Sequence, residues 1–535
     1  MKATKRTRSA ATTGVLFLGA VITLVPSHAQ QAATPPQHVF FHVALDKSLA
    51  GSVGESVSGR LLLFIEPVPA KGKLSGTVDM QMMAITGVYI AAKEISRLDP
   101  GSSVDVDADD IVFPAPLSQA PHGKYQAQAV LDVHHSYNYD GRSAGDIVSA
   151  PTKIDIPFSD ASTPALTLTQ VLPEPPDPLA QSPEVSSAIK PIDFVSPSLT
   201  SFWGRDVHMR GWVLLPPDYA SHPNDRYPTV YFTHGFGGTL SALRARYGPI
   251  LYDRMKQGKM PGMIWVLLEE SSATGTHEFA DGVNNGPWGT ALTTELIPSL
   301  ESTYRMDARA SGRFLQGHSS GGWATLWLQT RYPTVFGGTW STSPDPSDFH
   351  FFSTVDLYAP HANFYRTPEG KLHPMLRDRG EPHATMQQLA QAEQVLGDYG
   401  GQLASFEWVF SPRGPDGRPA QLFNRSTGEI DPNVANYWRE HYDIVERLKR
   451  NWGTIGPDLK GKIHLFVGTD DTFYLDGAAH SLQSTLDRLG GEAQFTFLPG
   501  RSHFNVYLEG TDRYALFDRI AAEMYRVARP GQDKL

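Results

Sequence analysis

At 535 residues the chain is too long for one ordinary hydrophobic core, so two or more domains are expected. Apolar residues make up 40% and charged residues 19%, a globular balance, while 41 prolines and 48 glycines call for many turns and some extended linker. The formal net charge of −10 argues against nucleic acid or anionic lipid as a partner, and the absence of cysteine excludes disulfides, thiol nucleophiles and thiolate metal sites.

Residues 1–29 have the layout of a secretory signal peptide. Lys2, Lys5, Arg6 and Arg8 form a basic start, an apolar run follows that is short for a membrane span, and "SHA" precedes Gln30. A periplasmic or secreted location is expected, and losing four basic residues makes the mature chain more acidic. No later run is long enough to span a bilayer, so no membrane partner is expected after cleavage.

Residues 38–160 read as strands and turns. "SGRLLLFIEP", "KYQAQAVLDVHHSY" and "TKIDIPF" are β-prone runs separated by turn clusters, which predicts an all-β, sandwich-like N-terminal domain. Within it, "DVDADDIVF" (105–113) lacks the glycine and distal glutamate of a calcium loop and reads as a solvated strand edge. His134 and His135 are adjacent, so on a strand they would face opposite ways, a poor geometry for one metal. Residues 161–191 carry clustered prolines and are expected to be an extended linker. From 192 to 530 strands alternate with helices, which predicts a mainly parallel sheet. Leu292, Leu296 and Leu300 share one helical face, with Pro298 expected to bend that helix or mark its last turns. About 349–452 the rhythm is interrupted by what reads as a cap inserted over the active edge of the sheet.

The stretch "RFLQGHSSGGW" places Ser319 at the centre of a G-x-S-x-G pattern, between a short strand and a helix. In a nucleophile elbow this turn lifts the serine hydroxyl above the sheet and sets a helix N-terminus beside the developing oxyanion. A serine nucleophile needs a base and an orienting carboxylate. His503, in "PGRSHFNVY" after the last strand, is the candidate base. Asp470 and Asp471, in "TDDTF" at the end of a strand, and Asp345, in "STSPDPSDF", are candidate acids. The amide of Ser320 and that of Phe236, in "THGFGG", are candidate oxyanion donors.

These motifs, with "VLLPPDY", "NNGPWG" and "ELIPSLESTYR" in the same order, resemble the putative esterase family, a branch of the α/β-hydrolases that includes esterase D, feruloyl esterases, enterochelin esterases and mycolyltransferases. The resemblance spans about Trp212 to Arg526. It implies an α/β-hydrolase domain that cleaves carboxylic esters of small molecules or glycans through an acyl-enzyme, with no cofactor and no metal. The spacing of the family's acid, carried onto "GTDDTF", selects Asp471. Gly235 and Trp288 become candidate substrate contacts. The sequence leaves two rival readings, an acyltransferase to a sugar or alcohol and a non-catalytic binding protein, and leaves oligomeric state open.

Overall fold

The computed structural model describes residues 38–69, 76–157 and 163–532. The expected signal peptide lies outside the described residues.

Nine strands between Phe40 and Val171 form the first sheet. Alternation along strand Val57–Pro67 shows how it is buried. Leu61, Leu63 and Ile65 join Phe41, Val43, Leu166 and Leu168 in one core. Leu62 and Phe64 face the other way, into a core shared with Met386 and Val395 of the cap. The strand is therefore apolar on both faces, which is why it reads as a continuous hydrophobic run. The expected sandwich is one continuously hydrogen-bonded, mostly antiparallel sheet rather than two separate ones. Strand Ser103–Asp107 lies at its edge, with Asp105 and Asp107 bonded to His42 and His38.

The linker assignment is corrected. Strand Ala165–Val171 pairs in parallel with Phe40–Leu45, and Ile189–Val195 opens the second sheet. The prolines crowd between 173 and 183, whereas "ALTLTQV" alternates with period two, the pattern of a strand.

The second sheet contains β1 (Ile189–Val195), β2 (His208–Leu214), β3 (Thr229–Thr233), β4 (Ile264–Leu268), β5 (Arg313–His318), β6 (Gly338–Thr342), β7 (Ile463–Gly468) and β8 (Ala493–Leu498). Their order is β1-β2-β4-β3-β5-β6-β7-β8, with β2 antiparallel to both neighbours and all other pairs parallel. The parallel strands end on one edge, where loops converge and ligands bind in open α/β sheets.

Helix Ser320–Arg331 follows β5 directly and is buried along nearly its whole length. Its Trp323 and Trp327 stack at 5.3 Å. Leu292, Leu296 and Leu300 are buried in one core, as the periodicity predicts. Pro298 lies near the end of a continuous helical run, Trp288–Thr303, directly after a π turn, Leu292–Leu296, whose wider winding accommodates the missing amide donor.

The insertion between β6 and β7 carries a two-stranded ribbon (Pro374–Asp378 with Glu381–Thr385) and helices Met386–Leu396, Gln402–Phe410 and Pro432–His441. Helix Ile444–Leu459 shares a core with Trp327, Leu482 and Leu486. It is thus the crossover helix between β6 and β7, and the cap ends near residue 443 rather than 452.

Candidate active site

Ser319 occupies the turn between β5 and its helix with φ +60° and ψ −126°, a strained conformation for a residue with a side chain. The turn is possible because of what flanks it. A Cβ on Gly317 would lie 2.1 Å from the Gly321 carbonyl oxygen, and one on Gly321 would lie 2.3 Å from the His234 carbonyl oxygen. Both glycines of the G-x-S-x-G pattern are sterically required. The backbone is held by bonds from the Ser319 amide to the Thr342 carbonyl (3.1 Å) and from the Asp345 amide to the Ser319 carbonyl (3.2 Å).

The three candidate carboxylates have different partners. Asp471 Oδ2 lies 3.0 Å from His503 Nδ1, and its Oδ1 accepts from the amides of Phe473 (3.0 Å) and Leu475 (3.4 Å). Both side chains are buried. Burial alone would raise the Asp471 pKa, but the attraction and hydrogen bond of His503, with the two amides, hold it below its ordinary value. The bond to Asp471 assigns the proton of the imidazole to Nδ1 and leaves Nε2 free to accept another. Asp470 instead pairs with Arg377 of the cap at 3.4 Å. Arg377 also donates to the Asp471 carbonyl (2.8 Å) and to Asp476 (2.8 Å), and so clamps the acid loop from above. The sequence carried no signal for that contact.

Asp345 faces Ser319 itself. Ser320 Oγ donates to its Oδ2 at 2.7 Å, and Ser319 Oγ to its Oδ1 at 3.5 Å, the outer limit of hydrogen bonding. The Ser319 hydroxyl therefore points to Asp345, and among the described residues no hydrogen bond joins it to His503. The ring of His318, next to Ser319, lies 4.5 Å from that of His503. Burial pushes the Asp345 pKa up to about 6 against the pull of Ser320, His503 and Ser319.

The loop after β3 passes over the serine. A Cβ on Gly235 would sit 2.7 Å from that of Ser319, so this glycine permits contact and offers no side chain of its own. Among the described residues, neither the Phe236 amide nor the Ser320 amide has a protein acceptor. His234, buried and with its pKa lowered by desolvation to about 4, is neutral. It bonds the Gly235 carbonyl through Nδ1 (2.8 Å) and accepts from the Glu270 amide at Nε2 (3.1 Å), which ties the loop to β4.

Trp288 is not brought to this cluster by any contact. It stacks on buried His277 at 3.7 Å, donates to the Asn285 carbonyl (2.9 Å) and borders a cleft with Trp203 and Arg205. A cavity of about 50 Å³ adjoins Asp345, walled by Phe352, Met375, Met386, Leu403 and Phe406 of the cap and by Phe473, whose ring lies 4.9 Å from that of His503. Such a volume holds a few waters or a short apolar chain. Among the described residues no cluster of three or more His, Asp or Glu side chains is placed to hold a metal, and His135 bonds Glu94 at 2.7 Å. No helix among them is long and apolar enough to cross a membrane.

Strand order, elbow and loop define the α/β-hydrolase fold, with a serine at the position of its nucleophile. The model of the family described as "Putative esterase" matches residues 204–517. The chain belongs to that family and is a carboxylic ester hydrolase. No curated protein sequence matches it. Among solved structures it is similar to a ferulic acid esterase (15% identity, TM-score 0.40), covering 64% of this chain and 98% of that one. It is also similar to S-formylglutathione hydrolase from Staphylococcus aureus (14%, 0.38; 64% and 99%) and to a ferulic acid esterase from Anaeromyces mucronatus (15%, 0.34; 62% and 88%).

Proposed function

We propose that this chain is an exported serine esterase in which Ser319, His503 and Asp471 form the catalytic triad. His503 Nε2 takes the Ser319 proton as Oγ bonds to the ester carbonyl carbon, and the carbonyl electron pair moves onto oxygen. The amides of Ser320 and Phe236 receive that oxyanion. Collapse of the intermediate expels the alcohol, which His503 protonates, and leaves an acyl-enzyme. Water then attacks by the reverse proton traffic. Asp471 keeps the imidazole in the required tautomer and stabilises the imidazolium. The acyl group, from a small-molecule or glycan-linked ester, occupies the apolar cavity beside Asp345.

The observation that carries this reading is the buried Asp471–His503 bond at the strand edge that presents the strained Ser319. Export rests on the composition of residues 1–29. The test is treatment of the mature protein with a fluorophosphonate, followed by peptide mapping. A single adduct on Ser319, lost in His503→Ala, is expected, together with hydrolysis of p-nitrophenyl esters. Folded protein that takes up no label would falsify the triad. Products carrying the acyl group on an added alcohol, formed in preference to free acid, would make the enzyme an acyltransferase.

A further inference from the structure

The loop that supplies the Phe236 amide contains three glycines, Gly235, Gly237 and Gly238, with Gly237 at φ +76°. Such a backbone has wide conformational freedom, and an oxyanion donor works only if its direction is set in advance. Within the loop, the bond from the Gly238 amide to the Gly235 carbonyl (3.0 Å) and the ring of His234 hold one side. The other side is held by a residue nearly a hundred positions earlier.

That residue is Tyr139, in a single helical turn (Tyr137–Asp140) that follows strand Gly123–Asp132 of the first sheet. Its hydroxyl donates to the Gly238 carbonyl at 2.8 Å, and its ring meets that of Phe236 edge to face at 5.0 Å. The turn is itself rigidly mounted. The Asp132 carboxylate accepts from the amides of His134 (3.2 Å), Ser136 (3.1 Å) and Tyr137 (2.9 Å). Tyr137 stacks on Phe64 at 5.1 Å and its hydroxyl donates to Asp79. Next to Tyr139, Asn138 donates to the cap at the carbonyls of Glu393 (3.0 Å) and Gly397 (2.6 Å). One turn thus meets the first sheet, the cap and the loop beside the nucleophile.

We infer that Tyr139 is a positioning residue for the oxyanion hole, which makes the strand-rich N-terminal region part of the catalytic unit. The inference rests on the serine esterase reading. In this role Tyr139 acts through the loop. It fixes the Gly238 peptide and the Phe236 ring, and through them the direction of the Phe236 amide. Asn138 serves the cap in the same way and bears on substrate access rather than on the oxyanion.

The experiment compares full-length mature wild type with Tyr139→Phe, Tyr139→Leu and Asn138→Ala. Rates of p-nitrophenyl acetate hydrolysis are expressed per site titrated with fluorophosphonate, so that unfolded molecules are not counted. Tyr139→Phe is expected to lower kcat on the order of tenfold, less than the hundredfold or more that losing an oxyanion donor costs, with KM within about twofold. Affinity for an alkyl boronic acid, which mimics the tetrahedral intermediate, is expected to fall by the same factor as kcat/KM. Tyr139→Leu is expected to lose more, whereas Asn138→Ala is expected to shift KM and leave kcat near wild type. A labelled wild type whose Tyr139→Phe and Tyr139→Leu variants keep its kcat and boronate affinity overturns the role of Tyr139 alone. A wild type that takes up no label overturns the serine reading beneath it.

Discussion

Replacing Asp345 by asparagine should stabilise the protein, and only above a definite pH. The carboxyl is buried beside Ser319 and Ser320, and burial, with the nearby Asp471 carboxylate, moves its pKa from an ordinary 3.8 up to about 6 against the pull of Ser320, His503 and Ser319. The folded state therefore binds this proton more tightly than the unfolded state does. Stability associated with the group is fully present below about pH 4, declines as pH rises toward 6, and is absent above it. At about 1.4 kcal/mol per unit, a shift of about two units costs about 3 kcal/mol at neutral pH. Asparagine retains hydrogen-bonding partners for both serine hydroxyls without a charge to desolvate. Calorimetry of wild type and Asp345→Asn at pH 4.5, 6 and 7.5 should give a melting-point difference that grows with pH, about a third of its full size at the lowest. At pH 7.5 the variant should melt about 3–6 °C higher, scaling measured sensitivities to a chain of this length. A difference that does not change with pH, or a variant less stable at pH 7.5, would refute the assignment of a strained, desolvated carboxylate at this position.

Other consequences are equally direct. Asp471→Asn should lower kcat by about four orders of magnitude, because the amide favours the wrong imidazole tautomer; wild-type turnover on p-nitrophenyl acetate would reassign the acid to Asp345 or Asp470. Gly321→Ala places a methyl 2.3 Å from the His234 carbonyl oxygen and should cost about 1–3 kcal/mol of stability, read by chemical denaturation, along with most of the activity. Leu403→Trp should fill the cavity beside Asp345, so that kcat/KM for p-nitrophenyl octanoate falls tenfold or more relative to the acetate, on the order expected for lost methylene contacts; an unchanged chain-length profile would remove the acyl group from that cavity.

Much of the site was legible in the sequence because its constraints are local. The elbow compresses a strand, a strained serine and a helix start into a few residues, and the close approaches at Gly317 and Gly321 exclude any other side chain there. The strands of the second sheet announced themselves by short apolar runs, and the helical face of Leu292, Leu296 and Leu300 by its period. Where the reading went astray, the local signal competed with another. The prolines between 173 and 183 masked the alternating "ALTLTQV", and the polar tail of the cap ran without a break into helix Ile444–Leu459.

By itself, then, the sequence determined the α/β alternation, the strained serine turn and the short roll of residues from which the proposed triad is drawn. Tertiary structure alone decided how those residues are shared out. Asp470 and Asp471 are neighbours in the chain, yet one turns to Arg377 and the other to His503, while Asp345 turns to the serines. It also placed Trp288 on His277 and brought Tyr139 of the first sheet to Gly238. Such pairings join residues from 11 to 99 positions apart. They have no periodicity and no fixed spacing, because they exist only where two separately folded surfaces meet.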